Sequence, residues 1–382
     1  MRPTTPVRRL LVRTWLIAAL GGLVACGGPL AAAPAACAEP TDLAPLADET
    51  LAAAVRAALG VATGPTCEAL ATLEHLDVYD LGVASLAGLE HAHALVSLQA
   101  DRNAIEDVTP LAGLSELRWL WFGGNQVSDI APLAGLSGLR GISFWGNPVA
   151  SVAPIAGMTH LERAFIGIVP ARDHHLLADL TSLQVLHVPD SGLSDLAFVA
   201  GMSELEEFFA TWNDAIGDAS VLATATNLVR LDLGDTGLTD VAFLAALPNL
   251  RHVALWGNEI ADTGPIEALT DLVHLDIGGT GMSDLSMLAN SPELEVLHAW
   301  ANGLSDVSPL ESLGALRMVG ISGNLISDIG PLVANVSLGS DTRIELEWNC
   351  LDLTPGSTNR NDIDALLGRG VDVSYEPQRD GC

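Results

Sequence analysis

Side chains able to do chemistry return in this sequence at regular intervals. His252, His274 and His298 stand 22 to 24 residues apart, and Asp276 lies two residues beyond His274. Imidazole and carboxylate groups a few ångströms apart bind zinc or copper. On adjacent extended strands, spaced about 5 Å, these four would come that close. The plainer reading is a patch of hydrogen-bonded histidines, so no metal and no cofactor are assigned. Aspartates return in register at Asp107, Asp129, Asp195, Asp240, Asp262, Asp284, Asp306 and Asp328. One carboxylate per interval lacks the dense oxygen shell of a calcium loop. It suits a turn residue accepting backbone N–H groups. His187 lies too far along the chain to join the histidine set, and His174-His175 is expected on a surface loop. There is no G-x-S-x-G, no H-E-x-x-H and no Walker loop. No catalytic residue is nominated, and the chain is expected not to be an enzyme.

The interval is set by the backbone pattern. Residues 117–125 and 250–258 both read L-x-x-L-x-L-x-x-N. The asparagine slot recurs at Asn103, Asn125, Asn147, Val169, Ser191, Asn213, Thr236, Asn258, Thr280, Asn302, Asn324 and Asn349. A degenerate first unit at residues 73–81 makes about thirteen rungs of 22 residues. Leucine alternating at period two predicts a short strand with one face inward. The asparagine amide can bond the backbone that turns out of that strand. Serine and threonine can do part of this; Val169 cannot. After the turn, segments such as Ser128-Asp129-Ile130-Ala131-Pro132-Leu133 begin a return stretch. With 22 residues per unit there is no room for a long helix, so that stretch is extended or 3₁₀.

This is the pattern of the leucine-rich repeat. Its spacing and its Ser-Asp-x-x-Pro-Leu segments resemble the bacterial internalin-type subclass over most of the chain. The resemblance implies an α/β right-handed solenoid, a horseshoe or arc with a parallel sheet on its concave face. It also implies interaction or adhesion as the role. Solenoid ends expose core and need caps. Asp48 to Gly60 reads as a capped helix, with acids first, an alanine-rich body and a glycine stop. A second helical turn is expected after Pro65-Thr66. At the far end, residues 361–367 look helical and 371–375 look like a last strand. The expected organisation is a signal peptide at 1–25, an Ala/Pro/Gly-rich tether at 26–46 and a helical N-cap at 47–72. Repeats follow at 73–349 and a C-terminal cap at 350–382.

The first thirteen residues are basic without an acid, and an apolar run of twelve follows. That is a secretory signal, too short for a bilayer span. Leu23-Val24-Ala25-Cys26 resembles a bacterial lipoprotein box, which makes Cys26 the lipidation site. The alternative is cleavage at Ala36-Cys37-Ala38. Gly27 after the cysteine implies, by the same resemblance, sorting to an outer membrane. The expected address is therefore the bacterial cell envelope, with membrane contact only through the lipid. Five cysteines become four once Cys26 carries lipid, and export favours disulfides. Four cysteines allow three pairings; locality favours Cys37–Cys67 and Cys350–Cys382.

Seven of the eight tryptophans lie past the signal segment, at Trp119, Trp121, Trp145, Trp212, Trp256, Trp300 and Trp348. Each is expected in an outward slot of a strand, with Trp145, Trp256 and Trp300 in one column. Phe165 and Phe209 join them. Tryptophan is enriched in binding hot spots. The neighbouring Gly123, Gly124, Gly141, Gly146 and Gly257 would leave clefts between the rings. The alternative is aromatics that simply cover the sheet. The net charge of −30, with every basic residue an arginine, opposes nucleic-acid binding. These observations point to a monomer that binds a protein or glycan partner through Trp119, Trp121, Trp145, Phe165, Phe209, Trp212, Trp256 and Trp300. Two other readings stand beside it. One is a structural envelope protein that assembles with itself. The other is a periplasmic metal binder using His252, His274, Asp276 and His298.

Overall fold

A computed structural model describes residues 37–379 apart from Ala261. The signal segment, Cys26 and Cys382 lie outside the described residues. The rest forms a leucine-rich-repeat solenoid. Fourteen strands of three residues, β1 (His75–Asp77) to β14 (Asp372–Ser374), make one parallel sheet in strict chain order. The middle residue of each strand points into the core: Leu98, Leu120, Ile142, Leu186 and Phe208 are fully buried. The two flanking residues face outward, so a one-residue slip would turn the whole core to solvent.

Below each strand the chain turns sharply. The residue before each asparagine slot has positive φ, from Asp80 at 54° through Trp212 at 59° to Trp348 at 59°. This left-handed turn is free for Gly124, Gly146 and Gly257 and costly for the side-chain-bearing residues. The asparagine ladder holds it. Asn258 Nδ2 donates to the carbonyls of Leu233 and Leu255 at 2.8 and 2.7 Å, and its Oδ1 accepts from Leu238 N–H at 3.0 Å. Thr236 replaces half of this, its hydroxyl donating to Leu233 at 2.7 Å. Val169 sits buried in the slot and contributes no such bond; in that unit Asp173 accepts from Val152 N–H at 3.0 Å instead.

The return stretches are mostly 3₁₀ helices, the shorter of the two forms expected. All eight register aspartates accept the N–H two residues on, from Asp107 (2.7 Å) to Asp328 (2.8 Å). They are turn residues.

Two helices close the front. Helix α1 (Glu49–Leu59) starts on Asp48, whose Oδ1 accepts from Thr50 and Leu51 N–H, and stops at left-handed Gly60. Helix α2 (Cys67–Leu70) starts on Thr66. The disulfide Cys37–Cys67 ties the entering chain to α2. After α3 (Gly330–Ala334), which takes the place of a 3₁₀ segment, helix α4 (Thr358–Gly368) runs longer than its expected 361–367. The last strand pairs in parallel with its predecessor and becomes the fourteenth member of the sheet. Cys350 is disulfide-bonded. Among the described residues no helix is long and apolar enough to cross a membrane.

The surface reading of His174-His175 holds for His175, which is exposed, and needs correction for His174. His174 is 4% exposed at the start of a 3₁₀ helix, and its Nε2 has no hydrogen-bond partner. Burial holds its imidazole below the usual range, while Asp173 pulls the other way. His174 stands in the column that other units fill with buried apolar residues such as Ile130, Val152 and Leu196.

Candidate functional site: the sheet face

The outward positions of the strands and the first turn residues beyond them form one face. Only Trp119 and Trp121 lie within a strand, the segment Trp119–Trp121. This corrects the expectation that all seven tryptophans do. Trp145, Trp256 and Trp300 stand two residues past their strands, in the slot two before the asparagine position. Trp212 and Trp348 occupy the left-handed turn position itself. Trp348 is 55% exposed; the other six are half-buried.

Five of these six lie against glycine. Trp145 lies over Gly123 of the preceding rung, Trp256 over Gly234 and Trp300 over Gly278. A Cβ at any of those glycines would overlap the indole. Gly141 is likewise covered by Trp119 and Trp121, whose ring carbons would stand 2.5 and 2.7 Å from a Cβ there. Gly123 and Gly141 therefore do not leave clefts; they are seats for the rings. Pro189 sits on Gly167 in the same way. The pairing of a large residue with the glycine one rung back fixes each indole's tilt and leaves its outer surface to solvent.

The aromatics form two groups. In the first, Trp119 and Trp121 stack at 6.1 Å, Trp121 meets Phe165 edge-on at 5.8 Å, and Phe165 meets His187 at 4.7 Å. His187 then stacks on Phe209 at 4.2 Å. Sequence reasoning set His187 aside because it looked only for metal ligands; its column, between Phe165 and Phe209, was the signal. His187 Nε2 is 2.6 Å from Glu207 Oε1, yet burial keeps its imidazole below the usual range. In the second group Trp212 meets Trp256 edge-on at 5.9 Å.

His252, His274 and His298 form a tilted ladder, with ring centroids 6.1 and 5.8 Å apart. Asp276 pairs in register with His298. Among the described residues no three His, Cys, Asp or Glu side chains converge to hold a metal ion. Burial lowers His274, as do the neighbouring His298 and His252. Burial also lowers His252, as do Arg230 and Arg251. Asp276 is raised by burial, against the Gly278 N–H and His298. Asp232, which accepts Gly234 N–H at 3.1 Å, is pushed up to about 7 by burial, with Asp276 adding to the effect. The face thus carries partly desolvated carboxylates beside aromatic rings.

No family model matches the chain, and no curated protein matches it in sequence. Solved structures do. An internalin (InlF) from Listeria monocytogenes is 25% identical, with a TM-score of 0.76 over 87% of this chain and 96% of its own. The Leptospira interrogans leucine-rich-repeat protein LIC12759 is 14% identical, with a TM-score of 0.51 over 81% of this chain and 97% of its own. A plant peptide hormone receptor, RGFR1, in complex with RGF2 is 16% identical, with a TM-score of 0.56 over 75% of this chain and 48% of its own. The fold is internalin-like.

Proposed function

We propose that this chain is an exported, lipid-anchored recognition protein that binds a protein or glycan partner through its tryptophan-lined sheet face. It acts as a binding scaffold, not as an enzyme. One observation carries the reading: Trp145, Trp256 and Trp300 are seated on glycines of the preceding rungs, with their outer surfaces left uncovered. A sheet needing only protection from water would be served by leucine or valine. Rigid indoles present large contact area at low entropic cost. The strongly negative charge adds preference for basic partners and discourages indiscriminate sticking. The likeness to an internalin supports both the binding role and export. The lipobox resemblance at Cys26 supports the anchor.

The test is capture from envelope and culture extracts by the full chain and by a variant with Trp145, Trp256 and Trp300 changed to alanine. The proposal expects a partner held by the parent and lost by the variant. Equal capture by both, with the fold intact, places binding elsewhere. Capture of the chain's own copies would mark it as self-assembling.

A further inference from the structure

We propose that the first aromatic group forms a subsite for one pyranose ring of a glycan, in the recess between the strands Ser97–Gln99 and Arg163–Phe165. This deepens the sheet-face reading and rests on it. The recess measures about 350 Å³ and is bounded by Asp101, Trp121, Ser143, Trp145, Arg163 and Phe165. That is at the small end of ligand pockets. Three walls are aromatic: Trp121 and Phe165 meet edge-on, and Trp145 is pinned over Gly123.

The floor is Ser143. It is 3% exposed, and its hydroxyl has no hydrogen-bond partner. Buried polar groups are nearly always satisfied, and an orphan is costly. Here the missing partner would come from whatever fills the recess. The rim supplies both kinds of polar group. Asp101 offers a carboxylate, oriented by Gly123 N–H and by the Gln99 amide. Arg163 offers a guanidinium. Elsewhere along the repeat, Arg140 and Arg230 are paired with Glu162 and Glu207. Arg163 is exposed and has no ion pair among the described residues.

These groups select an occupant. It must accept from Arg163, donate to Asp101 and bond a buried hydroxyl, so its polar groups must do both. A lysine or arginine side chain only donates and meets Arg163. A carboxylate only accepts and meets Asp101 in a chain of charge −30. Sugar hydroxyls donate and accept, and a pyranose turns flat C–H faces to aromatic walls.

The experiment screens the full chain on an immobilised glycan array and titrates the retained oligosaccharides by calorimetry. The variants are Ser143→Ala, Arg163→Gln and, on a return stretch away from the face, Asp240→Ala. The expected result is a retained hexose-containing glycan whose affinity falls roughly tenfold in Ser143→Ala and in Arg163→Gln, and is unchanged in Asp240→Ala. Ser143→Ala should melt no lower than the parent, since it removes an unpartnered group. A silent array overturns the proposal, as does glycan binding that survives both recess variants. So does a peptide that competes for the recess when no glycan does. A silent array alongside a protein captured through the tryptophans would remove the sugar subsite and leave the sheet-face reading standing. Silence in both would remove the two together.

Discussion

At the residue scale, the glycine beneath Trp145, Trp256 or Trp300 matters as much as the indole. Gly278 sits under Trp300, so Gly278→Ala must push the ring off its seat. Overpacking of that kind costs about 1–3 kcal/mol. The expected outcome is a lower melting temperature and red-shifted tryptophan emission; an unchanged spectrum would contradict the seating. Asp232 makes a second prediction. Its folded-state pKa of about 7 lies above the usual 3.8. A raised carboxyl favours the fold while it stays protonated. Its contribution is full below about pH 4, falls as pH rises to about 7, and is gone above that. The loss is at most about 1.4 kcal/mol per pH unit over that span. Asp232→Asn should therefore lose less stability than the parent between pH 5 and pH 8, as measured by denaturant unfolding. The buried histidines act in the opposite direction and cancel in the comparison, because both proteins carry them. The sequence period revealed the columns of Trp145, Trp256 and Trp300. It could not reveal which way each ring leans, since that depends on space one rung back. The strand register that brings His187 between Phe165 and Phe209 was legible; its stacking role was not sought.

At the element scale, each turn is a left-handed residue followed by a buried amide. Asn258→Ala would orphan the carbonyl of Leu255 and the N–H groups of Thr236 and Leu238, while the Leu233 carbonyl keeps the Thr236 hydroxyl. The expected cost is about 3 kcal/mol. Asp240→Ala, on an exposed return stretch, removes a single N–H bond to Ala242 and should cost about 1 kcal/mol or less. Chemical denaturation of the two variants ranks them; the reverse order would contradict the ladder. The front cap is held by Cys37–Cys67, which closes a separation of 30 residues. Reducing it to serines should cost about 3–4 kcal/mol by loop entropy. Hydrogen exchange should speed up in α1 and β1 while the central strands stay protected. The helix start at Asp48 and stop at Gly60 were legible because capping chemistry is local. His174 was misplaced although the period was unbroken, because a histidine stands in the column where Ile130, Val152 and Leu196 are buried, and its polar type points to a surface.

At the scale of the whole molecule, a 22-residue period repeated through the chain leaves one architecture available. Each rung buries its leucines only against its neighbours, so the fold was readable from the period alone. Function was readable only as a surface. The proposed recognition face is the sheet side of fourteen strands, where Trp145, Trp256 and Trp300 sit on glycines, and the partner's identity lies outside this chain's own chemistry. Under the proposed function, this face is the one occupied in the cell. The direct measurement is oxidative footprinting of tryptophans on the native envelope, compared with the purified full chain. Trp145, Trp256 and Trp300 should be protected in the envelope, with the return stretches equally reactive in both samples. Equal oxidation of those indoles, with protection confined to the return stretches, would place the binding surface on the opposite side of the solenoid.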